Sequence, residues 1–474
     1  MIFNYIIIIG SKAEKNGLER EELTMSPRLG RMVLRAAIFF FLLVSIGCSR
    51  KPLDEGARAV VLSVITPHNE NIRYEFSRAF SEYARQRYGW EVSFQWRDVG
   101  GGSSSILQYL RNVYSQSETS GIDVLFGGGE YTFQYLDAEG LLEELDLPAE
   151  VWEAIPTEFG GMEMYSPRKR WVGNVLSSFG FLYNKELLRH LNLPEPSLWE
   201  DLGRPEFFDL VILADPTQSG SQAAANEMIV QSAPDWPQGW RKLLLILSNA
   251  KKFLDNSGAA ARAPSSGECA VAVCIDFYGM MYVSEAPDKL GYVSPKGQTA
   301  YTPDPIGVLK NPPHREAAQA FVQFVMSQRG QGLWALPPGH PDGPQRYRLN
   351  RTPIRKDFYA LYAESGHLLA ANPYESGSEM VIDAGLREVR YEVLARLVYS
   401  AAIENASLLR EAKRRILAKQ MDESLVARLT RLPENIDTVE EIYQMAEQMK
   451  DPVAAERITT EWTAYFREQY RQIQ

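Results

Sequence analysis

Cysteine and histidine are scarce in this chain, three and five among 474 residues. Positive charge is in deficit as well: 50 Lys and Arg against 60 Asp and Glu leave a net charge of −10. That balance argues against nucleic acid, whose recognition demands basic clusters. Catalytic signatures are missing. There is no Gly-x-Ser-x-Gly elbow, no His-Glu-x-x-His pair and no Gly-x-Gly-x-x-Gly directly opening a helix. Only His68 of the five histidines follows a predicted strand, so no pattern supports a Ser/His hydrolytic pair. Internal repeats and low-complexity tracts are absent.

The one long oily stretch near the start has a definite layout. Arg28, Arg31 and Arg35 form a positive head, the apolar core runs from Ala36 to Ile46, and Gly47 precedes Cys48. This is the arrangement of a secretory signal peptide. As a helix the core spans roughly 17 Å, too short for a hydrocarbon layer of ~30 Å. Gly47-Cys48 resembles a bacterial lipoprotein cleavage site, although Ser45 stands where such sites usually carry Leu. The resemblance implies that Cys48 is acylated and anchors the mature protein to a membrane. Residues before Met25 do not fit the pattern, so translation is expected to start at Met25 or Met32. Residues 1–48 are read as leader and 49–58 as tether.

Roughly 430 residues remain, with an apolar content of 45% and a charged content of 23%. That suits a soluble globule, with chain enough for two domains or for three small ones. Cys269 and Cys274 lie five apart in a predicted strand, on opposite faces, which disfavours a disulfide and places both in a core.

The run Ala59–Ile65 reads as a buried strand, followed by Ile72, Phe76, Phe80 and Tyr83 at helical spacing. Residues 91–96 and 122–126 read as further strands, with a helix after Gly100–Ser105. Strand–helix–strand–helix–strand implies a parallel sheet with helices on its faces. A second β-rich region takes in 171–176, 179–183, 210–214 and 270–275. Pro303–Leu309 reads as a strand crossing back to the first sheet, 337–353 as an irregular loop, and the chain from 386 onward as helical.

Four polar loops follow predicted strands, the edge where ligands bind in open α/β sheets. Thr66–Glu70 offers His68 as a donor, or simply a capped helix start. Gly100–Ser105 frees backbone N–H groups at a helix start and suits an anion, Ser103 and Ser104 included, or is a flexible turn. Gly127–Glu130 permits close approach and places Glu130 to meet a cation, or is a tight turn with a solvated acid. Ser219-Gly220-Ser221 suits an oxyanion, beside Asp276 and Tyr278.

Carried by His68-Asn69-Glu70, Ile122–Phe126 with Glu130, Gly180–Asn184, Ala214–Ser221 and Pro303–Gly307, the chain resembles the solute-binding proteins of ABC importers from about Val60 to Arg355. It is most similar to the ferric-iron, phosphonate, thiamine and spermidine group. The resemblance implies an α/β, two-lobed periplasmic-binding-protein fold of type II. Each lobe would be a mixed, mostly parallel sheet flanked by helices. The expected division is 59–165 with 303–336 for one lobe and 166–302 with 337–385 for the other. Residues 386–474 would form a helical extension packing on the second. It also implies a solute held between the lobes by His68, Ser103, Ser104, Glu130, Ser219, Gly220, Ser221, Asp276 and Tyr278. No catalysis and no resident cofactor are implied. The partners would be an ABC permease and the membrane through the anchor, with the protein monomeric on the periplasmic or extracellular face. Ferric iron with a synergistic anion is the first expectation for the cargo, on His68, Glu130 and Tyr278. The family's tyrosine pair falls on Phe277-Tyr278, so one phenolate is missing, and a hard cation such as Fe³⁺ favours anionic oxygen. A phosphorylated or phosphonate solute, a polyamine or thiamine is the alternative. A secreted enzyme of similar fold is the rival of a different class.

Overall fold

Val60, Leu62, Val64 and Ile65 are almost wholly buried in the first strand, β1 (Arg58–Ile65). The computed structural model describes residues 58–473 apart from 364, 365, 367, 369–371, 377 and 379. The expected leader, with Met25, Met32 and Cys48, and the tether to residue 57 lie outside the described residues. Asn69 starts α1 (Glu70–Tyr88) by accepting from the Ile72 N–H at 3.2 Å, and Ile72, Phe76, Ala79 and Phe80 form its buried face. β2 (Trp90–Arg97), α2 (Ser103–Tyr114), β3 (Val124–Phe126) and α3 (Glu130–Ala138) follow. β2 and β3 flank β1, both parallel to it. A short hairpin, β4 (Glu158–Phe159) and β5 (Met162–Glu163), leads to β6 (Val172–Ser177).

The chain then enters a second sheet. Its members are β7 (Phe179–Asn184), β8 (Val211–Ala214), β9 (Ala250–Leu254), β10 (Val271–Ile275) and β11 (Leu290–Val293), in the spatial order β11-β7-β10-β8-β9. The helices of this lobe of at least six residues are α4 (Lys185–His190), α5 (Gly220–Gln231), α6 (Trp236–Ser248), α7 (Ser257–Ser265) and α8 (Asp276–Glu285). β12 (Thr302–Val308) returns to the first sheet, followed by α9 (Arg315–Met326), α10 (Gln328–Ala335), the edge strand β13 (Thr352–Pro353) and α11 (Lys356–Tyr362). The first sheet has the order β13-β6-β12-β3-β1-β2. Both sheets are mixed. Parallel pairing is confined to the β–α–β units, and β6, β7, β11, β12 and β13 pair antiparallel, so less of each sheet is parallel than expected. Cys269 and Cys274 are buried free thiols in two separate apolar clusters.

Two segments sit in the other lobe from the one the sequence suggested. Residues 166–177 were expected in the second lobe, yet β6 pairs with β12 in the first sheet, Thr302 opposite Ser177. A run buried on both faces looks alike in either sheet, so its partner cannot be read from pattern. Residues 337–353 were also expected in the second lobe. They are held on the first by Glu75 of α1, whose fully buried carboxylate accepts the Gln345, Arg346 and Tyr347 N–H groups at 2.7, 2.7 and 2.8 Å. The chain therefore crosses between the lobes at Ser178 and again at Tyr301.

The C-terminal extension is helical: α12 (Ala384–Val398), a π turn (Tyr399–Ile403), α13 (Ala406–Ala418), α14 (Glu423–Leu429), α15 (Val439–Met449) and α16 (Pro452–Arg471). Leu397, Ile416, Leu429, Ile442 and Phe466 join the apolar cluster that holds Trp240 and Leu243 of α6. The Trp236 indole N–H donates to the Ile436 carbonyl at 2.6 Å. Among the described residues no helix is long and apolar enough to cross a membrane.

Replacing Glu75 by Gln weakens three buried backbone bonds at once. Urea unfolding is expected to show a loss of about 3 kcal/mol. A variant as stable as the parent would mean that Glu75 does not hold the 345–347 segment.

Candidate functional site

The loops after β1, β2, β3, β8, β9 and β10 and the crossing strand β12 open on one cleft of about 200 Å³. At its floor lies a buried polar network. Asp304, on β12, accepts from Arg351 Nη1 at 2.8 Å and lies 3.0 Å from His68 Nε2. Its other oxygen accepts the Gly128 N–H at 2.8 Å. Arg351 Nη1 is 3.2 Å from His68 Nε2, and its Nη2 donates to Ser177 Oγ at 2.5 Å. The second lobe closes the network with Phe277, whose ring centre is 4.2 Å from the Arg351 guanidinium carbon, a cation–π contact.

The electrostatics follow from burial and from this pairing. Burial pushes the Asp304 carboxyl up, but Arg351 and His68 outweigh it and hold the group well below the usual carboxylate range. Burial also lowers His68, against the pull of Asp304, so the ring is neutral at neutral pH. It pushes the Tyr278 phenol up to about 12. Asp276 is raised to about 6 by burial, despite the nearby Arg351 charge and the bonds from Ser178.

The four polar loops meet here because each ends a strand and starts a helix. α2 and α3 begin after Gly102 and Gly129, which provide no side-chain cap. Their first N–H groups therefore face the cleft without the usual partner. By contrast, Ser219 caps α5 by accepting the Gln222 N–H at 3.3 Å. The lobes touch at the rim, where the Gly102 N–H donates to the Gln218 carbonyl at 3.1 Å. A Cβ at Gly102 would come within 2.8 Å of that oxygen, so the approach requires glycine. At Gly127 a Cβ would fall 2.4 Å from His68 Nε2, which fixes the second tight turn as glycine.

Seven of the expected residues line the cleft: His68, Ser103, Glu130, Ser219, Gly220, Ser221 and Tyr278. Two point elsewhere. Ser104 is one step round α2 from Ser103 and puts its Oγ 3.4 Å from the Tyr391 hydroxyl, in a neighbouring pocket. Asp276 turns back to the lobe crossing, accepting the Ser178 N–H at 2.8 Å and the Phe277 N–H at 2.7 Å. The expected metal donors His68, Glu130 and Tyr278 share the cleft, and the first two have partners of their own. In either tautomer His68 Nε2 is spent within its network, and Glu130 pairs with Arg387 of α12. Among the described residues no group of three His, Cys, Asp or Glu side chains is placed to hold a metal ion.

Sequence reasoning missed Arg73, Asp304, Arg351, Arg387 and Tyr391. Arg73 stands one turn into α1, where it looks like a solvated helix charge. Arg351 closes the Pro/Gly/Arg-rich loop and carried no positional signal. Asp304 sits in a motif noted only as a crossing strand. The one available hint was an acid flanked by prolines inside an otherwise buried strand.

Residues 120–351 match the family model described as a bacterial extracellular solute-binding protein. The phosphoglycerate transport regulatory protein PgtC of Salmonella typhimurium is 26% identical over 262 residues, 55% of this chain and 62% of that protein. The chain thus matches less than two thirds of that relative's length. Among solved structures, the periplasmic binding protein AfuA of Actinobacillus pleuropneumoniae, with exogenous fructose 6-phosphate bound, has a TM-score of 0.60. It is 18% identical and covers 73% of this chain and 99% of its own. Iron-bound HitA of Pseudomonas aeruginosa has a TM-score of 0.51 at 18% identity, covering 71% and 98%. These two likenesses establish the two-lobed fold.

Asp276 ionises less readily folded than unfolded. Its ionisation therefore costs the folded state stability as pH rises from about 4 to about 6. Between pH 4 and pH 7 the parent is expected to lose stability relative to Asp276→Asn, by at most about 3 kcal/mol. Urea unfolding of both proteins across that range measures it, and parallel curves would contradict the assignment.

Proposed function

We propose, from the premise that this chain belongs to the bacterial extracellular solute-binding proteins, that its cleft captures a small organic solute bearing a phosphate or similar anionic group. The protein then delivers the solute to an ABC permease. The observation that carries the reading is the pair of uncapped helix starts, α2 and α3, facing the same cleft as the Arg73 side chain. Free N–H groups at a helix start, with the positive end of its dipole, favour an anion, and a guanidinium matches phosphate oxygens in a fork. The names of two relatives are consistent with this: phosphoglycerate for the Salmonella protein, fructose 6-phosphate for AfuA.

Ferric iron is the weaker reading for cargo. HitA was solved with iron, but here a guanidinium lies 3.2 Å from His68 Nε2. A trivalent cation would meet that charge directly. The phenol of Tyr278 is protonated at neutral pH, and Phe277 supplies no oxygen.

Capture needs no bond to be made or broken. The lobes close because the solute touches both, and the closed form is what the permease receives. Acylated Cys48 would keep a monomeric protein at the membrane face beside its transporter.

Calorimetry and thermal-shift measurements with 3-phosphoglycerate, fructose 6-phosphate and Fe³⁺ plus carbonate test the reading. Saturable binding of a phosphorylated solute is expected, weakened about tenfold, or about 1.4 kcal/mol, by Arg73→Gln. No response to either phosphorylated compound, with an iron colour abolished in Tyr278→Phe, would overturn it.

A further inference from the structure

The family match ends at residue 351, well before α12 begins at Ala384. Yet α12 reaches the cleft. Arg387 and Tyr391, one turn apart on one face of the helix, both line it. Arg387 is buried and pairs with Glu130, the first residue of α3 in the first lobe. The Tyr391 ring stacks on Tyr131 at 3.7 Å between centres and 13° between planes. The neighbouring Arg390 faces the other way, its Nε donating to Glu227 of α5 in the second lobe at 3.2 Å. Upstream, the Ile382 N–H donates to the Gly160 carbonyl of the β4–β5 hairpin at 2.9 Å. The helix is therefore fixed to both lobes, and its inner face is a wall of the cleft.

A buried arginine at a cleft wall has two readings. It either neutralises a buried carboxylate or meets the ligand. The contact joins Arg387 Nη1 to a single carboxylate oxygen, Glu130 Oε1. An anion entering beside α3 would compete with Glu130 for the same guanidinium.

We propose that Arg387, supplied by the C-terminal extension, is a specificity-determining residue of the solute site: it contacts the anionic group of the solute, with Glu130 as its resident counter-charge. This rests on the solute class proposed above. Glu130 then tempers the affinity for anions rather than ligating the solute itself, the reverse of the cation-contact role that the sequence suggested for it.

The test is a set of variants of the full chain titrated with 3-phosphoglycerate and fructose 6-phosphate, with urea unfolding to confirm folding. Glu130→Gln unmasks Arg387 and is expected to tighten binding at least threefold. The double variant Glu130→Gln/Arg387→Gln leaves no unpaired buried charge, so it remains folded where Arg387→Gln alone would strand Glu130. It is expected to bind at least tenfold more weakly than Glu130→Gln. Equal binding by Glu130→Gln and the double variant would overturn the proposal and leave the solute class intact, as would weaker binding by Glu130→Gln than by the parent. Failure of the parent to bind either phosphorylated probe would overturn the solute class and this assignment with it.

Discussion

The Arg351–Asp304 ion pair is the constraint around which the site is arranged. Neither group tolerates burial alone, and removing one partner of such a pair typically costs about 3–5 kcal/mol. Each is brought to the cleft floor by a different stretch of chain, Asp304 by the crossing strand β12 and Arg351 by the residue just before the edge strand β13. The pair fixes the His68 ring, takes up the N–H of Gly128 and presents a cationic face to Phe277 of the opposite lobe. Strand order, glycine turn and inter-lobe contact thus converge on one charge pair.

Around it the helices divide their labour. α1 and α5 are closed by the side chains of Asn69 and Ser219. α2 and α3 begin on glycine and leave their N–H groups to the cleft. Gly102 also allows the lobes to approach, because it touches the Gln218 carbonyl of the other half. At Gly102 the close approach and the uncapped helix start have a common cause in the missing side chain.

Much of this was legible in the sequence where the signal was local. The buried run of β1, the helical spacing of Ile72, Phe76 and Phe80, and the polar loops at strand ends mark the first lobe in the sequence itself. The resemblance carried by those loops gave the two-lobed architecture. What failed was pairing at a distance. β6 is as apolar as any second-lobe strand, and only its register with β12 assigns it to the first sheet. The loop at 345–347 looked irregular because its order comes from Glu75, some 270 residues away in the chain. Ser104 was misplaced by one step of helix rotation. Arg387 and Arg390 carried no positional signal in the sequence, and only the fold shows them buried.

A two-lobed protein with two chain crossings bends about a single axis. This one has a further bridge, since α12 is tied to β4–β5 and α3 on one side and to α5 on the other. Swinging the halves apart would require the stacked tyrosines to slide or part, so the relaxed shape is biased towards shut. Loading would then be gated by how often that clasp springs, and unloading by whatever force prises it loose at the membrane.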